Sequence, residues 1–424
     1  GALELVNVSI VTAFPGFFRD FLSESMIGRA VRNGLIRIDV VDLRDFGSGN
    51  YRQVDDYSFG GGGGMVLLPE VLEKALHSLE EKKGPAYVVC PSPQGELLSQ
   101  EIVETLAARE HTVIICGHYE GLDERFIEKR VDREISLGDF VLTGGEIPAM
   151  AIIDAMARLV PGVIGKESAV VEDSFFRGML DHPHFTRPSE WEGIPAPDVL
   201  LSGHAAEIEN WRRSEAVQRT LSRRPELIGR ANIRPYLPKG VYIALVHSPV
   251  LDRKGEKTTA AVTGLDLSDI GRSCRTYGLD RFLVTTPLAS QRELVKTMAS
   301  HWTSGAGGDV NPDRKEAFSR IKLFPSLARA AEWVTGREKD SPLLIGTTAR
   351  NREGGFHWIE AKRTVLQKKQ PVVFVFGTGA GLHEDVLEHC HIVLQPLSGG
   401  FGDYNHLSVR TAVGVVLDRF FGWR

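Results

Sequence analysis

Two glycine-rich loops lie close together within residues 116–151 and could form the pocket of a small ligand. The apolar run 112–116 leads into Gly117, and the apolar run 140–142 leads into Thr143-Gly144-Gly145-Glu146. These patterns predict two strands that each end in a loop. In open α/β sheets, ligands bind where loops leave the carboxyl ends of strands, and glycines let bare backbone amides approach them. Two ordinary strand-to-helix turns are the alternative interpretation.

Strands and helices alternate along most of the chain, which predicts an α/β protein with parallel sheets and helices on both faces. By themselves these patterns indicate doubly wound open sheets, because chains rarely thread through their own loops. Residues 162–197 are polar and rich in proline, which is typical of a linker, and residues 207–227 are helical and rich in arginine. A second α/β domain begins near Gly240.

Composition limits the possible classes of protein. The 424 residues are enough for two or three domains, and a net charge of −5 predicts no bulk attraction to nucleic acid, so any RNA-binding surface must be local. Four distant cysteines without a C-x-x-C pair argue against a disulfide framework and a thiolate zinc site. The apolar runs are too short for a bilayer span and no secretory signal is evident, so we expect a cytoplasmic protein with no membrane partner.

Several motifs together resemble the bacterial tRNA (guanine-N1)-methyltransferases of the SPOUT class, which modify guanine 37. The motifs are NVSIVTAFPGFF, YRQVDDYSFGGGGGMVLLPE, CPSPQGELLSQ, EDSFFRGMLDHPHFTRP and WRRSEAVQRTLSRRPEL, together with residues 116–151. The resemblance implies S-adenosylmethionine-dependent methylation of guanine N1 in tRNA, which supports reading-frame maintenance, by a homodimer. It also implies a trefoil-knot SPOUT domain at 1–165, an interdomain linker at 166–180 and a small helical tRNA-binding domain at 181–237.

The resemblance also implies which loops hold S-adenosylmethionine. The matching residues are Ser92, Pro93, Gln94, Gly95, Gly117, Tyr119, Glu120, Gly121, Ile135, Ser136, Leu137, Gly138, Leu142, Gly144 and Gly145. Adenine needs an apolar slot with backbone donors and acceptors, and the sulfonium favours a nearby carboxylate such as Glu120. The glycine run 60–64 lacks the Gly-Lys-Ser/Thr of a P-loop, and we interpret it as a hinge or lid, with a mobile surface loop as the alternative.

Methylation at guanine N1 requires a base, because this nitrogen carries a proton at neutral pH. A cation near O6 would stabilise the charge that develops when the proton leaves. The resemblance assigns Asp173 as the base, Arg158 as the O6 partner and Asp181 as an acid that positions guanine or the linker, with possible help from Mg²⁺. Without the resemblance, Asp173 also fits a helix N-cap, and Arg158 a partner of the helix dipole. A proline separates His182 from His184, and no cysteine or carboxylate cluster matches them, so no metal site is expected there.

The arginine-rich helix is the predicted RNA surface. Arg212, Arg219 and Arg223 have helical spacings that place them on one stripe, and Arg213 flanks it. Such a stripe could contact a phosphate backbone. A solvated arginine face is the alternative.

The last part of the chain, 240–424, resembles a second SPOUT-type RNA methyltransferase domain. The resemblance depends on GLDLSDIGRSCRTYGLDRFLV, FVFGTGAGL and LSGGFGDYNHLSVRTAVGVVLDRF. Its candidate site residues are Asp266, Arg272, Gly377, Gly379, Gly381 and Asn405. Related ribose methyltransferases have asparagine where Asp266 stands, which argues against ribose 2′-O methylation. A non-catalytic dimerisation or RNA-binding module is the alternative, whereas a nicotinamide-binding fold is disfavoured because the glycine spacing is G-x-G-x-G.

Overall fold

A computed structural model describes residues 6–61, 63–164, 174–175, 178–304, 311–399 and 405–422. The chain divides into two compact units, Gly1–Phe176 and Arg177–Arg424. Both contain a parallel sheet with helices, so the prediction of an α/β protein with parallel sheets is confirmed. None of the helices in the described ranges is both long enough and apolar enough to span a membrane.

The first unit is built on a five-stranded parallel sheet. The strands of the first unit are β1 (Val6–Thr12), β2 (Ile36–Asp42), β3 (Asp55–Tyr57), β4 (Met65–Leu67), β5 (Tyr87–Leu97), β6 (Thr112–Ile115) and β7 (Arg133–Ser136). Its helices are α1 (Arg19–Ser23), α2 (Ser25–Arg32), α3 (Pro69–Lys83), α4 (Gln100–Ala107), α5 (Glu124–Arg130) and α6 (Glu146–Arg158). The sheet order is β2-β1-β6-β5-β7, and β3 and β4 form a separate antiparallel hairpin.

Helices cover both faces of this sheet, which explains why its central strands are almost continuously apolar. In β6, Ile114 contributes to a core shared with α2, α4 and α6, whereas Val113 and Ile115 contribute to a core shared with α3 and α5. Successive side chains of a strand point to opposite faces, so each core receives alternate residues. All four residues of β6 are buried.

The predicted strand at 140–142 is wrong. The edge strand next to β5 is β7. Its Ile135 is completely buried, whereas Phe140 and Val141 are 55% and 81% exposed in the loop before α6. The sequence Arg-Glu-Ile-Ser of β7 carries one apolar residue, so its pattern is weaker than that of the exposed apolar triplet. Pairing with β5, rather than hydrophobicity, selects the strand.

The second unit contains a six-stranded parallel sheet. The strands of the second unit are β8 (Glu190–Trp191), β9 (Ile194–Pro195), β10 (Val241–Val246), β11 (Val250–Leu251), β12 (Lys257–Thr258), β13 (Arg281–Thr285), β14 (Ile321–Phe324), β15 (Leu343–Gly346), β16 (Val372–Gly377) and β17 (Ile392–Val393). Of these, β8 pairs with β9 and β11 with β12 outside the large sheet. Its helices are α7 (Asp198–Leu201), α8 (Ala205–Arg223), α9 (Gly264–Thr276), α10 (Ala289–Thr303), α11 (Pro312–Ser319), α12 (Leu327–Glu338), α13 (Trp358–Lys368), α14 (Glu384–Leu387) and α15 (Val409–Phe421).

The two sheets have the same strand connectivity. The second sheet has the order β14-β13-β10-β16-β15-β17. When its edge strand β14 is set aside, the strands β13, β10, β16, β15 and β17 occupy the places of β2, β1, β6, β5 and β7. Both sheets therefore bring the loops after three matching strands to one edge.

The arginine-rich helix α8 belongs to the second unit. Its Val217 is buried in the core that also contains Val241 and Phe374. Below the helix, the fully buried Lys362 of α13 donates hydrogen bonds from Nζ to the carbonyl oxygens of Ile228 and Ala231, at 3.1 and 2.6 Å. These bonds fasten the turn that follows α8 to the second sheet's helices.

Candidate functional site

A cavity of about 360 Å³, called the first cavity below, lies where β5 departs from regular pairing with β7, beside the loop after β6 and the loop after β7. Its lining includes Ser92, Pro93, Gln94, Gly117, Tyr119, Glu120, Gly121, Ile135, Ser136, Leu137, Leu142, Gly144 and Gly145. These residues come from three segments that are distant in sequence. The structure thus brings together most of the residues expected to bind the cofactor.

The remaining two expected residues, Gly95 and Gly138, lie next to the lining. Gly95 lies within the irregularity in the β5–β7 pairing, and its bare Cα faces the backbone between Glu134 and Ile135. Gly138 has φ +157 and its amide donates to Ser136 Oγ at 3.2 Å. Both glycines therefore shape the loops that form the cavity.

Close backbone packing forms one wall of the first cavity. The Gly145 amide donates to the Gly117 carbonyl oxygen at 2.8 Å, which joins the loop before α6 to the loop after β6. A Cβ on Gly145 would lie 2.8 Å from Cys116 Cα and 2.9 Å from Gly117 N. A side chain at this position would push the two loops apart, so glycine is required for this packing.

The loop that carries Glu120 is fastened to the β3–β4 hairpin. The Glu120 amide donates to the Met65 carbonyl oxygen, and the Leu67 amide donates to the Gly121 carbonyl oxygen, both at 3.0 Å. The Glu120 side chain packs directly against the bare backbone of Gly64. The described part of the glycine run therefore ends beside a carboxylate of the first cavity, while Gly62 lies outside the described residues.

A buried polar network lies next to the first cavity and was not predicted from the sequence. Glu146, the first residue of α6, is 2% exposed and accepts a hydrogen bond from Thr12 Oγ1 at 2.7 Å. Its other carboxylate oxygen lies 3.5 Å from Nε2 of His118, which lines the cavity. The signal that could have revealed it is an acid at the start of an otherwise apolar helix, directly after two glycines. Acids are rarely buried without a partner.

The two cysteines in this region are chemically inert. Burial, followed by the nearby Glu134 carboxylate, raises the pKa of Cys90 to about 12. Burial also raises the pKa of Cys116 well above its usual value, with a further contribution from Glu146. Both thiols therefore stay protonated at neutral pH, and neither is a suitable nucleophile.

The residues assigned to proton removal and to positioning of guanine do not all lie within one described unit. Arg158 is the last residue of α6 and is exposed at the surface of the first unit. Asp181 belongs to the second unit, and Asp173 lies outside the described residues. Their assignment to catalysis therefore remains a prediction.

Asp181 is held between two histidines. Its carboxylate oxygens lie 2.7 Å from His182 Nδ1 and 2.8 Å from His184 Nε2. Burial opposes ionisation, but the hydrogen bonds from the His184 ring and the His182 amide outweigh it and lower the pKa of Asp181. Candidate metal-ligand atoms of these three residues lie within 4.8 Å of one another, a grouping that recurs nowhere else in the described ranges. Hydrogen bonding between the histidines and the carboxylate accounts for this arrangement.

The predicted arginine stripe lies on α8. Arg212 and Arg223 are exposed and Arg219 is half-buried. Arg213 Nε donates to Glu209 Oε1 at 2.8 Å, so an acid one turn earlier offsets part of its charge. Trp211 packs near His182, with ring centroids 6.5 Å apart, and so connects the stripe with the Asp181 cluster.

A larger cavity of about 630 Å³ lies in the second unit and is called the second cavity. Its lining includes the predicted residues Asp266, Gly377, Gly379, Gly381 and Asn405. Arg272 lies on α9 but is exposed, and it is absent from the described lining. The second cavity occupies the sheet edge that corresponds to the position of the first.

The loop after β16 repeats the backbone of the loop after β6. Tyr119 and Gly121 have φ values of 60 and 112, and Gly379 and Gly381 have values of 62 and 111. The Gly121 amide donates to the His118 carbonyl oxygen at 3.0 Å, and the Gly381 amide donates to the Thr378 carbonyl oxygen at 3.1 Å. The same loop conformation thus borders both cavities.

Two family models match the chain. Residues 6–230 match the family described as tRNA (Guanine-1)-methyltransferase TrmD. Residues 240–422 match the family described as SAM-dependent RNA methyltransferase, where SAM is S-adenosylmethionine. The two matches follow the two resemblances seen in the sequence.

Similar proteins carry one name. Proteins of Nitratidesulfovibrio vulgaris and Oleidesulfovibrio alaskensis are 40% and 39% identical to this chain, over 98% of it and 99% of their own length. A protein of Thermus thermophilus is 50% identical over 53% of this chain and 93% of its own length. All three are named tRNA (guanine-N(1)-)-methyltransferase. With a matching family model over its first half and full-length relatives of that name, the chain belongs to the tRNA (guanine-1)-methyltransferase family.

Proposed function

We propose that this chain methylates N1 of guanine 37 in tRNA with S-adenosylmethionine as the methyl donor. The observation that carries the proposal is the full-length similarity to proteins named tRNA (guanine-N(1)-)-methyltransferase. The first cavity supplies a site of suitable chemistry. Methylation at position 37, beside the anticodon, would support maintenance of the reading frame, and we place the enzyme in the cytoplasm with its substrate.

The first cavity fits the cofactor. Leu137 and Leu142 provide an apolar surface, the glycine loops expose backbone amides and carbonyls, and Glu120 provides a carboxylate. Gly145 has no room for a side chain, as expected where backbone forms the wall of a site. When bound, S-adenosylmethionine supplies an electrophilic methyl group. We propose that the loops of the first cavity thread the trefoil knot of SPOUT enzymes. Hydrogen bonds between these loops, such as Gly145 to Gly117, support this proposal.

The proposed chemistry centres on proton removal from guanine N1. Asp173 accepts this proton, and Arg158 stabilises the negative charge that develops on O6. Asp181, ionised and fixed by His182 and His184, positions the base or the linker. Assistance by Mg²⁺ is part of the proposal and predicts that a chelator slows methyl transfer at a given pH.

The proposed tRNA surface is the segment 181–237. It contains the arginine stripe of α8, and Lys362 fixes the turn that follows the helix to α13. A rigid base keeps the stripe in a defined orientation, which favours contact with successive phosphates. We retain 1–165, 166–180 and 240–424 as the proposed SPOUT domain, linker and second SPOUT-like domain.

We also propose a homodimer formed at the first unit. Large apolar side chains are exposed beside the first cavity, and Leu97, Val141 and Ile147 have exposed fractions of 57%, 81% and 49%. A second copy that covers these residues would remove apolar surface from water next to the cofactor loops. Val141→Asp should therefore produce monomers in light scattering, whereas Leu294→Asp, a change at an exposed apolar residue of the second unit, should not. A monomeric wild-type chain that methylates tRNA would contradict this proposal.

The second unit is proposed to bind a second molecule of S-adenosylmethionine as an RNA methyltransferase domain. The shared strand order, the repeated glycine loop and the match at 240–422 support this assignment. Titration of the full chain with S-adenosylhomocysteine should give two binding sites per chain. One site per chain would favour a non-catalytic dimerisation or RNA-binding module instead.

The central experiment is transfer of labelled methyl groups to tRNA with guanine or adenine at position 37. Wild type should produce N1-methylguanine only with guanine 37, and Asp173→Asn should reduce turnover by about 10²–10⁴-fold without loss of cofactor binding. Asp313→Asn, at an exposed aspartate of the second unit, serves as the control. Methylation of another nucleotide, with guanine 37 unchanged, would refute the proposed function of the first unit.

A further inference from the structure

We infer that Asp266 is the catalytic base of a second active site, and that this site methylates a ring N–H of an RNA base rather than a ribose hydroxyl. The inference rests on the proposed function of the second cavity as a site for the methyl donor. It adds the acceptor class and the residue that activates the acceptor.

Asp266 lies in the first turn of α9 and lines the second cavity. Its side chain is 13% exposed, and its carboxylate is fixed from two sides. Thr263 Oγ1 donates to Oδ2 at 2.7 Å, and Arg410 Nε lies 3.5 Å from Oδ1. Arg410, at the start of α15, stabilises the carboxylate charge in a site that is largely shielded from water. The carboxylate is therefore held in place at the cavity wall.

A helix-capping role accounts for only part of this arrangement. Thr263 is the N-cap of α9, and its hydroxyl accepts from the Asp266 amide at 3.2 Å. In a capping box, the acid at the third helical position would accept in return from the N-cap amide. Instead, the Asp266 carboxylate contacts the Thr263 hydroxyl and Arg410. The Asp266 carboxylate therefore does not complete a capping box, and it lines the second cavity.

Comparison of the two glycine loops strengthens the assignment. Glu120 occupies the loop of the first cavity, and Ala380 occupies the equivalent place in the loop of the second. Among the described residues that line the second cavity, Asp266 is the sole carboxylate. The second cavity therefore has an acid on a different element, α9, which leaves the glycine loop apolar.

The chemistry of a carboxylate selects the acceptor. A carboxylate is a weak base, so it removes a proton most efficiently from a methyl acceptor that is itself fairly acidic. A ring N–H beside a carbonyl group, as in guanine or uracil, is more acidic than a ribose hydroxyl by orders of magnitude. Asp266 is therefore suited to the ring N–H.

The proposed step balances as follows in atoms and charge. The ring N–H gives its proton to Asp266, and the nitrogen electron pair forms the new bond to the methyl carbon. The carbon–sulfur bond breaks, its electron pair stays on sulfur, and a neutral thioether leaves. Asp266 then releases the proton to water. The second cavity has nearly twice the volume of the first, about 630 against 360 Å³, and its half-buried Trp358 offers an aromatic surface on which a base could stack.

The test uses the full chain with the first site disabled by Asp173→Asn. The probe is total RNA from cells whose only copy of the chain carries Asp266→Asn, because such RNA lacks the second methylation. The Asp173→Asn chain should label this RNA, and nucleoside mass spectrometry should locate the methyl group on a ring nitrogen. Adding Asp266→Asn should reduce labelling by at least about 100-fold. Adding Asp313→Asn, at an exposed acid outside the described cavity lining, should change labelling by less than about threefold.

Binding provides a readout independent of turnover. The Asp266→Asn chain should still bind two molecules of S-adenosylhomocysteine and should still form N1-methylguanine at position 37. The inference is overturned if the RNA is not labelled, if Asp266→Asn leaves labelling intact, if it removes the second binding site, or if the methyl group lies on ribose. A wild-type chain that binds one molecule would overturn the proposed function of the second cavity itself.

Discussion

Replacement of Gly145 by alanine should weaken cofactor binding at the first cavity. Gly145 has φ −81 and ψ −4, a conformation open to every residue, so the substitution introduces no backbone strain of its own. The difficulty is contact, because the new Cβ would lie 2.8 Å from Cys116 Cα and 2.9 Å from Gly117 N. These are backbone atoms that cannot rotate away, so the two loops must separate.

The magnitude follows from this geometry. Overpacking of this kind costs about 1–3 kcal/mol, and a distorted hydrogen bond from Gly145 to Gly117 adds about 0.5–1.5 kcal/mol. If about 1.4–2.8 kcal/mol of this cost appears in binding, Kd at the first cavity rises about 10–100-fold. The second cavity should keep its affinity, since its loops do not include Gly145.

Calorimetric titration of the full chain with S-adenosylhomocysteine measures both sites together. Gly16→Ala is the matched control, because a Cβ there would meet no atom within 4 Å. A Gly145→Ala chain whose two affinities both stay within about twofold of wild type would refute the argument that this backbone contact shapes the site. A lower Tm with unchanged affinities would show that the strain is absorbed outside the first cavity.

Three further predictions concern the second unit. Arg219→Ala should weaken tRNA binding and reduce its salt slope by about one, whereas exposed Arg329→Ala should not; an unchanged slope removes Arg219 from the contact set. Lys362→Met should lower the free energy of unfolding by about 2–4 kcal/mol in urea, because three buried carbonyl groups lose their donor, and a loss no larger than that of Lys296→Met would contradict this. Burial lowers the pKa of His247. Below about pH 6.5 the unfolded chain therefore binds a proton at this residue more readily than the folded chain does, and the free energy of unfolding decreases as the pH is lowered. His247→Gln should flatten this fall between pH 7.5 and 5.5, and parallel curves for the two chains would rule out His247 as a cause.

The glycine loops illustrate how much local sequence predicted. The apolar run 112–116 predicts a strand that leads into a glycine loop, and β6 lies there, fully buried. The positions Gly121 and Gly381 have positive φ, a conformation that glycine adopts without strain, so their role is readable from residue type. The exposed triplet at 140–142 misled the same reasoning, because hydrophobicity alone does not say whether a partner strand is present.

Polar partners distant in sequence were the part that sequence reasoning missed. The buried Glu146 pairs with Thr12 across 134 positions, and Lys362 donates to Ala231 across 131. No local sequence pattern indicates such a partner. A buried polar group needs a hydrogen-bond partner, and here the fold supplies it by bringing two distant elements together.

The sequence by itself determined the alternation of strands and helices, the glycine loops and the family of the chain, because these depend on residue types within short windows. Tertiary structure decided which loops share a cavity, because the carboxyl ends of β5, β6 and β7 converge only after the strands pair in the order of the sheet. It also decided that Asp266 lines the second cavity whereas Arg272 stays at the surface. The two residues share helix α9, and only the packing of that helix against the rest of the unit distinguishes its faces.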